Sequence, residues 1–165
     1  MLYGVMHWID LVLVLILIGF GVLGWKRGFI LTIGQVIGSI IGFLIARTTS
    51  PWLGAVIALF MPSRPGLAQL IAFIIIFFII ERLIGILVGL VNVVFKIITA
   101  LPIISSVDKF LGFVLGIVEG IVFVGSSVYL VMTLRLDASL MAWLSSSTVS
   151  HYVQQAFQYL LGYFL

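Results

Sequence analysis

The chain contains no cysteine. That excludes disulfides, iron–sulfur ligation and a thiol nucleophile, and it leaves the redox compartment unreadable. Charge is nearly as scarce. Only 8% of residues are charged, against roughly a quarter in soluble domains. So few charges cannot cover a surface that faces water, and lipid is therefore expected to be most of the solvent. The basic residues stand singly except for Lys26-Arg27, which excludes the cationic stripe of a nucleic-acid surface. Residues 1–9 carry no Lys or Arg, and Asp10 opens the first apolar run. A secretory signal needs a basic leading region, so the first segment is expected to stay in the mature protein. Catalytic patterns are missing as well. There is no His-x-x-x-His, no Gly-x-Ser-x-Gly and no lysine-bearing phosphate loop. His7 and His151 lie far apart from each other, and Ser145-Ser146-Ser147, taken to have no nearby base, reads as a linker or helix cap. No catalytic residue, metal site or cofactor is expected.

What the chain does have is apolar length. Hydrophobic residues make up 64% and the mean hydropathy is +1.41. The pattern predicts an all-α, polytopic membrane bundle of about four helices. The first runs from Trp8 to Trp25, with a tryptophan for each membrane–water interface. The second runs from Phe29 to Ala46. Only Lys26-Arg27-Gly28 separates them, so they must form an antiparallel hairpin. Ser50-Pro51 has the form of a helix start, with Ser50 as N-cap. A short interfacial, re-entrant or buried loop helix is expected from Pro51 to Met61. The third long segment runs from Leu67 to Phe95, more than one straight crossing needs. Ile97 to Ser106 contains Pro102 and reads as a connector. The fourth segment runs from Asp108 to about Leu134, with Asp108 at the positive end of its own helix dipole.

Two units follow: a bundle over 1–136 and a tail over 137–165. In the tail Val149, Val153, Phe157, Leu160 and Phe164 share one helical face, with Ser150, His151 and Gln154 among the polar residues elsewhere. An amphipathic helix is expected, lying on a membrane surface or on the rest of the protein. Placing the N-terminus outside puts four cations (Lys26, Arg27, Lys96, Lys109) in the cytoplasm and three (Arg47, Arg64, Arg135) outside. The positive-inside rule thus leans towards N-out and C-out.

Glycine recurs at spacing four. Gly34-Gly38-Gly42, Gly112-Gly116-Gly120, Gly85-Gly89 and Gly24-Gly28 each fall on one helical face. Small residues let helices approach closely where no hydrophobic drive exists between them. Packing is the favoured reading, with a pore or hinge as the alternative.

Asp10, Glu81, Arg82 and Glu119 lie within or near the apolar spans. Ionised groups in hydrocarbon cost a few kcal/mol even on the cheapest scale, so each needs a partner or water. Glu119 shares its face with Gly112, Gly116 and Gly120, and Glu81 shares its face with Gly85 and Gly89. The carboxylates are therefore expected to face neighbouring helices. Arg82 is expected to pair with Glu119 or Glu81, with Asp10 as a third candidate. Such a cluster is either a polar latch or a proton or ion relay.

These residues resemble a known family. Trp8-Ile9-Asp10, Gly24-Trp25-Lys26-Arg27-Gly28-Phe29, Leu101-Pro102 and Asp108-Lys109-x-x-Gly112-x-x-x-Gly116 together are similar to the colicin V production proteins, over most of residues 7–130. By matching position, the family-like residues are Asp10, Arg27, Gly28, Asp108, Gly112 and Gly116. The resemblance implies a small multi-pass protein of the bacterial inner membrane. It implies a role in peptide-toxin production or export and in envelope homeostasis, with no enzymatic activity or cofactor. A small channel or proton-coupled transporter and an oligomeric membrane scaffold are the alternatives from the residues alone. Expected partners are the lipid bilayer and either further copies of the chain or other membrane proteins.

Overall fold

The computed structural model describes residues 8–99, 105–133, 135–136 and 138–162. Among them the chain forms six helices and no strand. They are α1 (Trp8–Arg27), α2 (Phe29–Ala58), α3 (Pro65–Thr99), α4 (Ser105–Thr133), α5 (Ala138–Ser146) and α6 (Thr148–Leu161). Four of them, α1 to α4, are long and apolar enough to cross a membrane. Their outer faces are apolar: Leu15, Ile79, Leu83 and Leu87 are all more than half exposed. Their inner faces carry polar groups, with Thr32, Gln35, Ser39, Glu81 and Glu119 buried. A water-soluble bundle would sort these residues the other way.

Packing places the helices in the order α3, α2, α4, α1. The pairs α3–α2 and α4–α1 run antiparallel, while α2 and α4 run parallel, with Phe29 beside Asp108 at their starts and Phe43 beside Tyr129 further along. Cβ atoms at Gly34, Gly38 and Gly42 would meet Val88, then Ile84, then Phe77. At the other junction Gly24 lies against Gly112, and Gly120 against Leu17 and Phe20. Gly89 is different. Nothing described lies within 4 Å of a Cβ there, so this glycine faces open space and not a helix junction.

The second segment does not stop at Ala46. The helix continues through Pro51 to Ala58, so Ser50 is an interior helical residue and no separate helix spans Pro51 to Met61. Proline removes one donor, and in apolar surroundings a broken ladder would find no water to replace the rest. Thr48 and Thr49 donate their hydroxyls to the Ile45 carbonyl at 2.9 and 2.8 Å. Gly54 holds the extension against α3, where a Cβ would come 2.8 Å from Gln69 Cα. The third helix is also longer than expected. Its 35 residues rise about 52 Å at 1.5 Å per residue. Pro102 lies outside the described residues, as do His7, Leu134, Asp137 and Phe164.

The tail is two helices where one was expected, and α6 lies on the bundle. Val153 packs with Ile9, Leu13, Val124 and Val128. Phe157 and Leu161 join Phe43, Phe73 and Phe77, with the Phe157 and Phe43 rings edge to face at 5.2 Å. Leu160 is exposed and Ser150 is buried, so the buried face is rotated from the one expected. Asp10 explains the docking. Its Oδ1 accepts from Ser147 Oγ at 2.5 Å and from Val149 N at 3.0 Å. A carboxylate there caps α6 and meets the positive end of its dipole. Asp10 is thus tied to the tail, which corrects the expectation that it could serve Arg82. Asp10→Ala should release α6 at a cost of about 1–2 kcal/mol. Hydrogen exchange would report it as faster exchange across 148–161 with α1 to α4 unchanged.

Candidate functional site: a charged groove between two helices

The turn that joins α1 to α2 supplies the first element. Gly28 has φ 81°, which an L side chain adopts at a penalty of about 1–2 kcal/mol. A Cβ there would also overlap the Asp108 carboxylate. Asp108 Oδ1 accepts from Phe29 N at 3.0 Å. It therefore caps α2, where the sequence suggested service to its own helix. The cap closes one end of the α1–α2–α4 junction. Gly28→Ala combines strained backbone with a steric clash, so a loss of about 2 kcal/mol is expected. Chemical or thermal unfolding of the purified protein checks it, with Phe29→Ala as a comparison that keeps the turn.

Arg27 sits at the last position of α1. Its Nη1 donates to both Oε1 and Oε2 of Glu119 at 3.1 Å. Glu119 is fully buried, and the arginine side chain is 26% exposed. This buried ion pair stands in place of the expected pairing of Arg82 with Glu119. The reason is directional. Helical side chains lean towards the N-terminus of their own helix. Arg27 on α1 and Glu119 on the antiparallel α4 therefore lean towards each other. Sequence reasoning left Arg27 in a cytoplasmic loop because its Cα lies outside the apolar run. The signal available was that lean, together with the Gly24–Gly112 register.

Glu81 of α3 completes the cluster. It is 5% exposed, and its carboxyl group neighbours that of Glu119. Its Oε2 is buried and has no hydrogen-bond partner among the described residues. Gln35 of α2 packs over Gly85, where a Cβ would overlap the amide. Arg82 is next to Glu81 in sequence but exposed.

These groups line a groove of about 530 Å³ between α1 and α3. Its apolar wall includes Ile16, Phe20 and Leu23 of α1 and Phe78 of α3, and its polar end holds Arg27, Gln35, Glu81 and Arg82. Gly19 lies on the wall with nothing within 4 Å of a Cβ. The structure thus brings Glu81, Arg82, Glu119 and Arg27 to one place and leaves Asp10 at the far end with α6. Gly112 and Gly116 lie behind the cluster: Cβ atoms there would overlap the carbonyl oxygens of Gly24 and Phe20. Elsewhere, a surface depression is lined by Ser145, Ser146, Ser147 and His151. The serine run, read from the sequence as having no nearby base, thus shares this depression with His151, four positions after Ser147. The histidine Nε2 is 3.2 Å from Gln155 Nε2, and Ser147 donates to Asp10, so no activated hydroxyl results.

No curated protein and no solved structure gives a significant match to the chain. The family model described as "Colicin V production protein" matches residues 9–158, which include the hairpin turn, the Arg27–Glu119 pair, the groove and most of the docked α6. With most of its length matched and four membrane-capable helices, this membrane protein belongs to the colicin V production protein family.

Proposed function

We propose that the chain is a multi-pass protein of the bacterial inner membrane that assists the production or export of peptide toxin and the upkeep of the envelope. The observation that carries this reading is the family match over residues 9–158. The apolar exterior of α1 to α4 supports the bilayer placement. The role is non-enzymatic and is exerted with other membrane proteins or further copies of the chain. The ends of the hairpins favour one topology. A Cβ at Gly66 would overlap the Leu136 carbonyl, and Asp10 binds Ser147, so these segments share a side opposite Gly28 and Asp108. With the positive-inside lean, that side is the outer one.

The test is deletion of the gene in a strain that makes a colicin V-type toxin. Secreted toxin should fall while its synthesis continues, and the wild-type gene should restore it. Unchanged secretion would remove the export role. A second reading, a small transporter, is favoured by the groove between α1 and α3. It expects solute or proton flux in proteoliposomes that Glu81→Gln abolishes, and flux no greater than in empty vesicles would discard it.

A further inference from the structure

We infer that the groove between α1 and α3 is a binding site for a single-chain amphiphile with an anionic, hydroxyl-bearing head. Three observations carry the inference. The first is the exposure of Arg82. It lies well inside the 65–90 apolar stretch of α3. An arginine at that depth requires an anion, an acceptor or water. The second is Glu81, which lines the same groove and whose buried Oε2 lacks a donor among the described residues. A buried carboxylate oxygen without a donor is unfavourable until one arrives. The third is charge. Two guanidiniums line the polar end, Arg27, which is paired with Glu119, and Arg82, which is exposed.

A second copy of the chain does not fit these demands. The chain has five acidic residues. Asp10 is bound to Ser147, Asp108 to Phe29 N and Glu119 to Arg27, and Glu81 is sunk in the groove itself. Asp137 follows the end of α4 in sequence. None of the four described acids, Asp10, Glu81, Asp108 and Glu119, is free to reach Arg82 of a neighbour at this depth. A head group with an anionic oxygen for Arg82 and a hydroxyl for Glu81 answers both needs. The apolar wall of Ile16, Phe20, Leu23 and Phe78 takes the tail. The volume, about 530 Å³, is of the size that small-molecule sites have, and it is a lateral cleft and not a helix-wide channel.

The test is binding of lysophosphatidylglycerol to the full chain in detergent, followed by native mass spectrometry. A monoacylglycerol of the same acyl chain, which keeps hydroxyls and lacks the anion, is the uncharged comparison. A preference of about tenfold or more for the anionic lipid is expected. Arg82→Gln should erase the preference. Gly19→Leu should block both lipids, because it fills the groove at a position with open space and leaves the helix junctions untouched. Equal binding of the two lipids overturns the inference, as does wild-type binding by either variant. So does crosslinking of Arg82 to a carboxylate of a co-purifying membrane protein, which would make the groove a helix-docking site. The inference rests on the bilayer placement proposed above. Labelling of lipid-facing positions tests that placement separately, so a failure of one is distinguishable from a failure of the other.

Discussion

Gly24→Leu is expected to keep the chain from reaching its folded state. A Cβ at position 24 would overlap the carbonyl oxygen of Gly112 and come 3.0 Å from Gly116 Cα. Both obstacles are backbone, so no rotamer change relieves them, and α1 must separate from α4. Overpacking typically costs about 1–3 kcal/mol and occasionally more. A leucine against backbone belongs at the top of that range or above it. Separation would also pull Arg27 away from Glu119. The measurement is the yield of monodisperse, detergent-extracted protein and its thermal midpoint. Gly89→Ala is the control, since nothing described lies within 4 Å of its Cβ. It should stay within about 0.5 kcal/mol of the parent. Equal behaviour of the two variants would mean that α1 and α4 do not cross at Gly24.

Arg27→Ala carries the second large effect. It leaves Glu119, fully buried, without its guanidinium. Removing one partner of a buried pair costs about 3–5 kcal/mol, because the charge left behind is uncompensated. Adding Glu119→Gln removes that charge and should recover part of the loss. The double-mutant cycle for this pair should show a coupling of about 1–3 kcal/mol. The same cycle between Arg82 and Glu119 should show a smaller one, since Arg82 turns towards the groove opening. A coupling centred on Arg82 would reverse the assignment and restore the pairing that composition and spacing first suggested.

Much of the architecture is legible in the sequence because lipid is a strict solvent. Runs of apolar residues near the bilayer thickness must be helices, and three-residue links between them force hairpins. Lys26-Arg27-Gly28 illustrates this. Other features depend on tertiary partners and leave only a faint local trace. Pro51 looks like a helix start because its N-terminal neighbours, Thr49 and Ser50, are good caps. The helix runs through it because Gly54 seats the continuation on Gln69 of α3. Asp108 looks like a first-turn acid of its own helix, yet the donor it meets, Phe29 N, lies 79 positions away. Asp10 binds Ser147 across 137 positions. Neither separation can be read from periodicity, which reports a face and not what covers it. Arg27 is the instructive miss. Its Cα lies at the end of α1, and counting charges by their position along the chain hides the reach of its side chain back towards the centre of the bundle.

The absence of cysteine makes the most direct test clean, because a single introduced thiol is the only one present. Ile75 lies in the apolar stretch of α3 and is 42% exposed, and Ser63 lies in the turn between α2 and α3. Intact membranes carrying Ile75→Cys or Ser63→Cys would be treated with a membrane-impermeant maleimide. Labelling of Ser63→Cys, with Ile75→Cys protected until detergent and denaturant are added, is the predicted result. Equal labelling of both in intact membranes would contradict it, since an exposed face at that position would then meet water and not hydrocarbon.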